Sequence, residues 1–251
     1  MHNFQLSTLD SQLSTLYFLG IGGIGMSAIA RYFKAKGFDV AGYDRTSTVL
    51  TRELESEGIA VNYVDEVGEI AEQYCDVANT LVVYTPAIPA DNKQYQYFLT
   101  NGFRMMKRAA ILGEITRLER GLCIAGTHGK TTTSTMTAHI LKQSHVDCNA
   151  FLGGISKNYT SNLLLSDKSD YVVIEADEFD RSFHHLSPYM AVITSTDADH
   201  LDIYGTHEAY LESFAHFTSL IVDGGSLFVK KGIQLDPRTS DKVAIYTYSG
   251  T

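Results

Sequence analysis

The segment CIAGTHGKTTTSTMTAHIL, Cys123 to Leu141, places Gly126, Thr127, His128, Gly129, Lys130, Thr131 and Thr132 between an apolar run and a helix-like pattern. These residue types suit a phosphate. Loop N–H groups can turn inward on its oxygens, the lysine supplies a charge to the β- and γ-phosphates, and the threonine hydroxyl can complete a Mg²⁺ shell. The spacing is G-x-x-G-K-T, with Ile124 where the commoner G-x-x-x-x-G-K-[ST] form needs its first glycine, so this is a short variant. A lysine facing phosphate supports no core, and Lys130→Ala is expected to leave the fold intact.

A second turn, YFLGIGGIGMSAIARYF from Tyr17 to Phe33, carries Gly20, Gly22 and Gly25 in the G-x-G-x-x-G spacing, with Gly23, Ile24 and Met26 among them. Glycines there let the backbone turn tightly and approach a diphosphate resting on the positive end of the following helix. That physics serves a nicotinamide or flavin dinucleotide and any other pyrophosphate alike. Asp44, at the end of the next strand-like run, stands where the dinucleotide fingerprint puts its ribose-binding acid.

Two acidic clusters follow later apolar runs. YVVIEADEFDRSFHH holds Glu175, Asp177, Glu178 and Asp180, and AVITSTDADHLDIYG holds Asp197, Asp199, His200 and Asp202. Because open parallel sheets bind ligands beyond the carboxyl ends of their strands, Gly126 to Thr131, Glu175 and His200 are expected to converge on one crevice. Oxygen donors there would suit Mg²⁺, which shares its shell with substrate phosphates. Asp177, Asp180 and Asp202 read equally well as solvated loop residues or helix caps. His184 and His185 have no comparable setting and are assigned no catalytic role.

The elements that must position these residues recur as strand-length apolar runs beginning near 16, 38, 80, 122, 171, 190, 226 and 243. Helical patterns lie between them at 24–36, 49–58, 107–120, 130–143 and 207–220. This alternation predicts α/β architecture with parallel sheets, a Rossmann-like domain over 16–105 followed by a P-loop ATPase-type domain over 106–251. Residues 1–15, which contain the first of two QLSTL copies at Gln5 to Leu9, read as a disordered extension. A formal net charge of −9 argues against nucleic-acid or anionic-membrane surfaces, and no apolar run approaches a bilayer span. Cys75, Cys123 and Cys148 form no C-x-x-C pair, which fits buried thiols in a reducing cytosol, and a cytoplasmic protein without membrane insertion is expected.

The motifs GIGGIGMSAIA, GTHGKTTT, EADEFDRSF and DADHLDIYG, in this order, resemble the Mur ligases of peptidoglycan synthesis. The resemblance implies an ATP- and Mg²⁺-dependent ligase joining L-alanine to the lactyl carboxylate of UDP-N-acetylmuramate through an acyl phosphate, with a homodimer among the assemblies it allows. Gly20, Gly22, Gly23, Ile24, Gly25, Met26, Asp44 and Thr85 would hold the UDP-sugar, with the Tyr84–Pro89 loop as a further wall of that pocket. Lys130 would serve the β- and γ-phosphates, Thr131 and Glu175 one metal, and His200 a second metal.

Two departures stand out. Many relatives carry a carbamylated lysine shortly after the histidine matching His200, whereas no Lys occurs between Leu201 and Val229. Family members also continue into a domain that binds the amino acid, so these 251 residues are expected to be truncated and inactive in ligation. Murein peptide ligase, a nucleotide-binding fragment without catalysis and an NAD-dependent oxidoreductase are the alternatives.

Overall fold

A computed structural model describes residues 13–249, so the first QLSTL copy and most of the expected extension lie outside the described residues. Thr15, placed in that extension, begins the first strand. The chain divides into two units, Met1–Ile111 and Leu112–Thr251.

In the first unit, β1 (Thr15–Leu19), β2 (Asp39–Tyr43), β3 (Ala60–Asn62), β4 (Thr80–Tyr84) and β5 (Arg104–Lys107) form one sheet in the order β3-β2-β1-β4-β5. Every pairing in it is parallel. All five residues of β1 are buried, as a central strand of a parallel sheet requires. The connecting helices are α1 (Ile24–Ala35), α2 (Val49–Ser56) and α3 (Lys93–Thr100). On α1, Met26, Ile29, Ala30 and Phe33 recur at helical spacing and are buried. Strand order reverses beside β1, which puts the Gly20–Gly25 turn at a topological switch point.

The division between units falls within α4 (Arg108–Leu118), and the boundary expected after residue 105 falls inside β5. The second unit contains β6 (Arg120–Ala125), α5 (Lys130–Gln143), β7 (Asn149–Ser156), β8 (Ser161–Leu164) and β9 (Tyr171–Glu175). It continues with β10 (Met190–Ile193), α6 (Leu201–Tyr204), α7 (His207–Ser219), β11 (Ser226–Lys230) and β12 (Ala244–Tyr248). Its sheet has the order β12-β11-β10-β6-β9-β7-β8. The fully parallel sheet expected here is corrected at one edge, because β8 runs antiparallel to β7. Only the short 157–160 turn joins those two strands, whereas a parallel return needs a crossover of about a dozen residues or more. The pattern also gave no sign of β3, β5, β7, β8 or α3.

This order brings the site together. β6, which leads into the Gly126–Thr131 loop, lies between β9 and β10, so the segments following both strands flank the loop.

Candidate functional site

Small polar residues after β10 build the floor of the second unit's loop. Thr127 N donates to the Ser195 carbonyl at 3.2 Å, His128 N to Ser195 Oγ at 2.8 Å, and Thr194 Oγ1 to the His128 carbonyl at 2.5 Å. Gly126 takes φ +133° and a side chain there would run into Thr194 Oγ1, so close backbone approach requires glycine at this position. The Thr127 hydroxyl is tied inward, to the Asp197 carbonyl at 2.8 Å and the Tyr210 hydroxyl at 2.9 Å. Burial raises the Tyr210 phenol well above its usual range, so it stays protonated. Gly129, at φ +85°, caps α5, and Thr133 N makes the first intrahelical bond, to Gly129 O at 2.9 Å. The N–H groups of Lys130, Thr131 and Thr132 precede that bond, on the positive end of the helix dipole.

Lys130 has partners that sequence reasoning missed. Its Nζ lies 2.8 Å from both carboxylate oxygens of Glu178 and 2.8 Å from the Gly126 carbonyl. Glu178 is 1% exposed. The expectation that Lys130→Ala leaves the fold intact is therefore corrected: it would strand a buried carboxylate, typically at a cost of about 3–5 kcal/mol. The only signal for Glu178 was its place three residues past Glu175.

Thr131 and Glu175 do meet, with Thr131 Oγ1 donating to Glu175 Oε1 at 3.1 Å. The other oxygen, Oε2, accepts from Gly153 N at 3.1 Å, which orients the carboxylate from β7. A hydroxyl and a carboxylate at the mouth of a phosphate loop form an oxygen donor set of the kind Mg²⁺ prefers. Among the described residues no group of three His, Cys, Asp or Glu could hold a metal, so such a shell would be completed by phosphate and water.

His200 is not hydrogen-bonded to Thr131 or Glu175. It sits at φ +50° before α6, 3.8 Å from Asp199 Oδ2, with its ring edge-on to Phe179 at 5.3 Å. A non-glycine residue in this left-handed region is held there by its surroundings, a feature common at functional loops. Asp177 accepts from Phe179 N at 3.1 Å and so serves as a local cap. His184 is packed flat on Phe183 at 4.8 Å, a structural setting.

The first unit holds a cavity of about 770 Å³, a size typical of small-molecule sites. Gly20, Gly23, Met26, Asp44 and Thr85 line it, as do Ile88 and Pro89 of the loop after β4. Gly20 has φ +84°, and a Cβ there would sit 2.5 Å from Thr85 Cγ2, so this wall too depends on glycine. Gly22, Ile24 and Gly25 are not on the wall. Gly22 acts through its N–H, which donates to Asp44 Oδ2 at 2.8 Å, while Thr46 N reaches Asp44 Oδ1 at 3.1 Å. Arg45, Tyr63 and Asn92 also line the cavity, and no sequence signal marked them. Among the described residues the buried Tyr63 hydroxyl has no hydrogen-bond partner, a group for which a bound polar ligand would provide relief if the ring turned toward it.

Comparison with known proteins bears on both units. Residues 15–120 match the Mur ligase family, catalytic domain, and residues 124–249 match the Mur ligase middle domain. The UDP-N-acetylmuramate--L-alanine ligase of Porphyromonas gingivalis is 63% identical over 237 residues, covering 94% of this chain and 52% of that protein. The ligase of the same name from Flavobacterium johnsoniae is 50% identical over 226 residues, covering 90% and 50%. The chain thus spans about half the length of the curated relatives it matches. Among solved structures, the UDP-N-acetylmuramate:L-alanyl-gamma-D-glutamyl-meso-diaminopimelate ligase of Neisseria meningitides superposes with a TM-score of 0.75 at 25% identity, covering 88% of this chain and 72% of that one. The UDP-N-acetylmuramate-alanine ligase MurC of Thermotoga maritima gives 0.74 at 28% identity, covering 87% and 49%. With both units matched and identity reaching 63% across 94% of its length, this chain belongs to the Mur ligase family.

Proposed function

We propose that this chain carries the UDP-sugar and ATP sites of a ligase that joins L-alanine to the lactyl carboxylate of UDP-N-acetylmuramate. The observation that carries the reading is the Thr131–Glu175 pair at the mouth of the Gly126–Lys130 loop, a ready donor set for a metal-bound triphosphate. The 63% identity to an alanine-adding relative supports the choice of substrates.

ATP supplies the phosphoryl group that removes the carboxylate's charge and provides a leaving group, after which the amine of L-alanine attacks the acyl phosphate. The chain's residues contribute positioning and charge neutralisation. Gly126, Thr127, His128 and Gly129 shape the loop, and the N–H groups of Lys130, Thr131 and Thr132 face the phosphates. Lys130 offsets their charge. Thr131 and Glu175 would hold one Mg²⁺ and His200 would serve a second metal, and such ions would screen the phosphate charge. Gly20, Gly23, Met26, Asp44 and Thr85 line the UDP-sugar site, with Gly22 fixing Asp44 and with Ile24 and Gly25 opening α1 beneath it. An NAD reading is less economical, because it leaves the second loop without a purpose. The murein peptide ligase reading rests on a structural likeness at 25% identity, well below that of the alanine-adding relatives.

The test is to mix the full-length protein with UDP-N-acetylmuramate, ATP, Mg²⁺ and L-alanine and to follow the alanyl adduct by mass spectrometry. Release of ADP in step with adduct supports the reading. Binding of NAD in preference to the UDP-sugar by calorimetry overturns it. Residues 1–251 assayed alone test the expectation of an incomplete ligase: adduct at about 1 per second or more would show them to be catalytically sufficient.

A further inference from the structure

We propose that Glu178 is a latch on the phosphate-loop lysine, holding the donors of Lys130 until a nucleotide phosphate takes the place of the carboxylate. The proposal rests on the ATP reading of this loop and adds a residue to which that reading gives no role.

A lysine ammonium has three N–H donors. Three acceptors lie 2.8 Å from Lys130 Nζ, namely Gly126 O and the two oxygens of Glu178. The two oxygens of one carboxylate lie on the same side of Nζ and share its donors, and with Gly126 O they hold the ammonium inward, so a phosphate oxygen that engages this lysine competes with Glu178 for its charge. Of the three acceptors, the carboxylate is the negatively charged one and the closest electrostatic mimic of a phosphate edge.

The carboxylate is the fixed half of the pair. Glu178 is 1% exposed, and its carbonyl accepts from Tyr204 OH at 2.5 Å and from Arg181 N at 3.0 Å. Asp180 and Arg181 follow at φ +51° and +55°, a strained turn pinned where the Arg181 guanidinium lies 4.8 Å over the Tyr204 ring. Lys130, by contrast, hangs on a flexible stem with its side chain 14% exposed. When the two separate, the lysine is the partner that moves.

The energetic consequence has a definite sign. Without nucleotide, Lys130 and Glu178 neutralise one another out of water. With nucleotide, the lysine turns toward phosphate and Glu178 is left as a buried anion near a second anion, a cost subtracted from affinity. Glu178→Gln removes the competing charge and leaves the lysine without its counter-ion in the free protein. The free protein should be less stable and should bind phosphate more tightly. An ion pair that merely braces the loop would lose stability and affinity together.

The experiment measures ADP with Mg²⁺ by titration calorimetry, and melting temperature, on the full-length protein and its Glu178→Gln variant. The expected result is a lower melting temperature without ligand and an ADP dissociation constant about tenfold smaller, equivalent to about 1.4 kcal/mol. An unchanged or weaker ADP affinity overturns the latch. Should Glu178→Gln fail to fold, Glu178→Asp keeps the charge but is one methylene too short to hold both bonds. A tightening of about threefold is then expected, and an unchanged or weaker affinity is the overturning result. A wild type that binds no ADP removes the nucleotide reading and the latch with it. A wild type that binds ADP, with variants that do not tighten, removes the latch alone.

Discussion

The two glycine turns follow central strands of two separate sheets, and both contain glycines at positive φ, Gly20 at +84° and Gly126 at +133°. They differ in the charge that holds them. In the first unit the turn's N–H at Gly22 is satisfied by the Asp44 carboxylate, and no lysine stands in the turn. In the second, a lysine inside the turn is balanced by a buried glutamate from the segment after β9. Glycine spacing therefore specifies a backbone able to approach a diphosphate, while the charged residue brought to it decides whether the turn can also stabilise a transferring phosphoryl group.

The largest expected effect comes from Lys130→Ala. Loss of a positioned charge on developing phosphate charge should lower the ligation rate of the full-length protein by about 10²–10³-fold. Stranding Glu178 should also lower the melting temperature, and Lys130→Ala/Glu178→Gln should restore much of that loss without restoring the rate. If Lys130→Ala retains its rate, the difference between the two turns has no catalytic meaning.

Gly20→Val acts on the other turn. A β-branched residue at φ +84° costs at least about 1–2 kcal/mol, and its side chain collides with Thr85. UDP-N-acetylmuramate affinity is expected to fall tenfold or more in calorimetry. ADP affinity should not change. A parallel loss of both affinities would show that the two turns do not work as separate sites.

A smaller change is expected from Asp44→Ala, which removes the acceptor of Gly22 N–H. Asp44 is partly solvent-exposed, so about 1 kcal/mol, or roughly fivefold in UDP-sugar affinity, is the expected loss. If affinity instead rises, the aspartate competes with the diphosphate for that N–H, and the two turns are more alike than the charges suggest.

The mildest test uses pH, since no histidine lies between residues 13 and 127. In the second unit, burial chiefly holds the His184 pKa below its ordinary value, with His216, Arg181 and His185 lowering it further against the bond to the Ser213 carbonyl. The unfolded chain therefore takes up this proton first as pH falls. Stability should be full above about pH 6.5 and decline as pH drops below it. Limited proteolysis between pH 7.5 and 5.5 should show earlier cleavage in the second unit than in the first, with the difference reduced in His184→Gln. Equal sensitivity of the two units would remove this contrast.

Much of this was legible in the residues. The helix bounds of α5 and the strands at 80–84, 171–175 and 226–230 coincide with the apolar runs, because buried parallel strands flanked by polar turns have few other ways to read. The ends of neighbouring strands group Gly126–Thr131, Glu175 and His200, and only the family resemblance pairs Thr131 with Glu175; those two meet, whereas His200 bonds to neither among the described residues. β3 and β5 escaped notice because edge strands need little apolar pattern, and β7 because Gly153 and Gly154 interrupt it.

What the sequence determined by itself is the local chemistry: which turns can bend around phosphate, which runs must be buried, and which residue types could bind metal. The tertiary structure decided the partners. Glu178 lies 48 residues from Lys130, Ser195 lies 67 from His128, and Tyr63 reaches the same cavity as Gly20. Such pairings depend on the order in which strands assemble, β9 and β10 on either side of β6, and no local pattern encodes that order. Strand order follows from the packing of all crossover helices at once, and it is this that made a lysine expected to face phosphate into half of a buried ion pair.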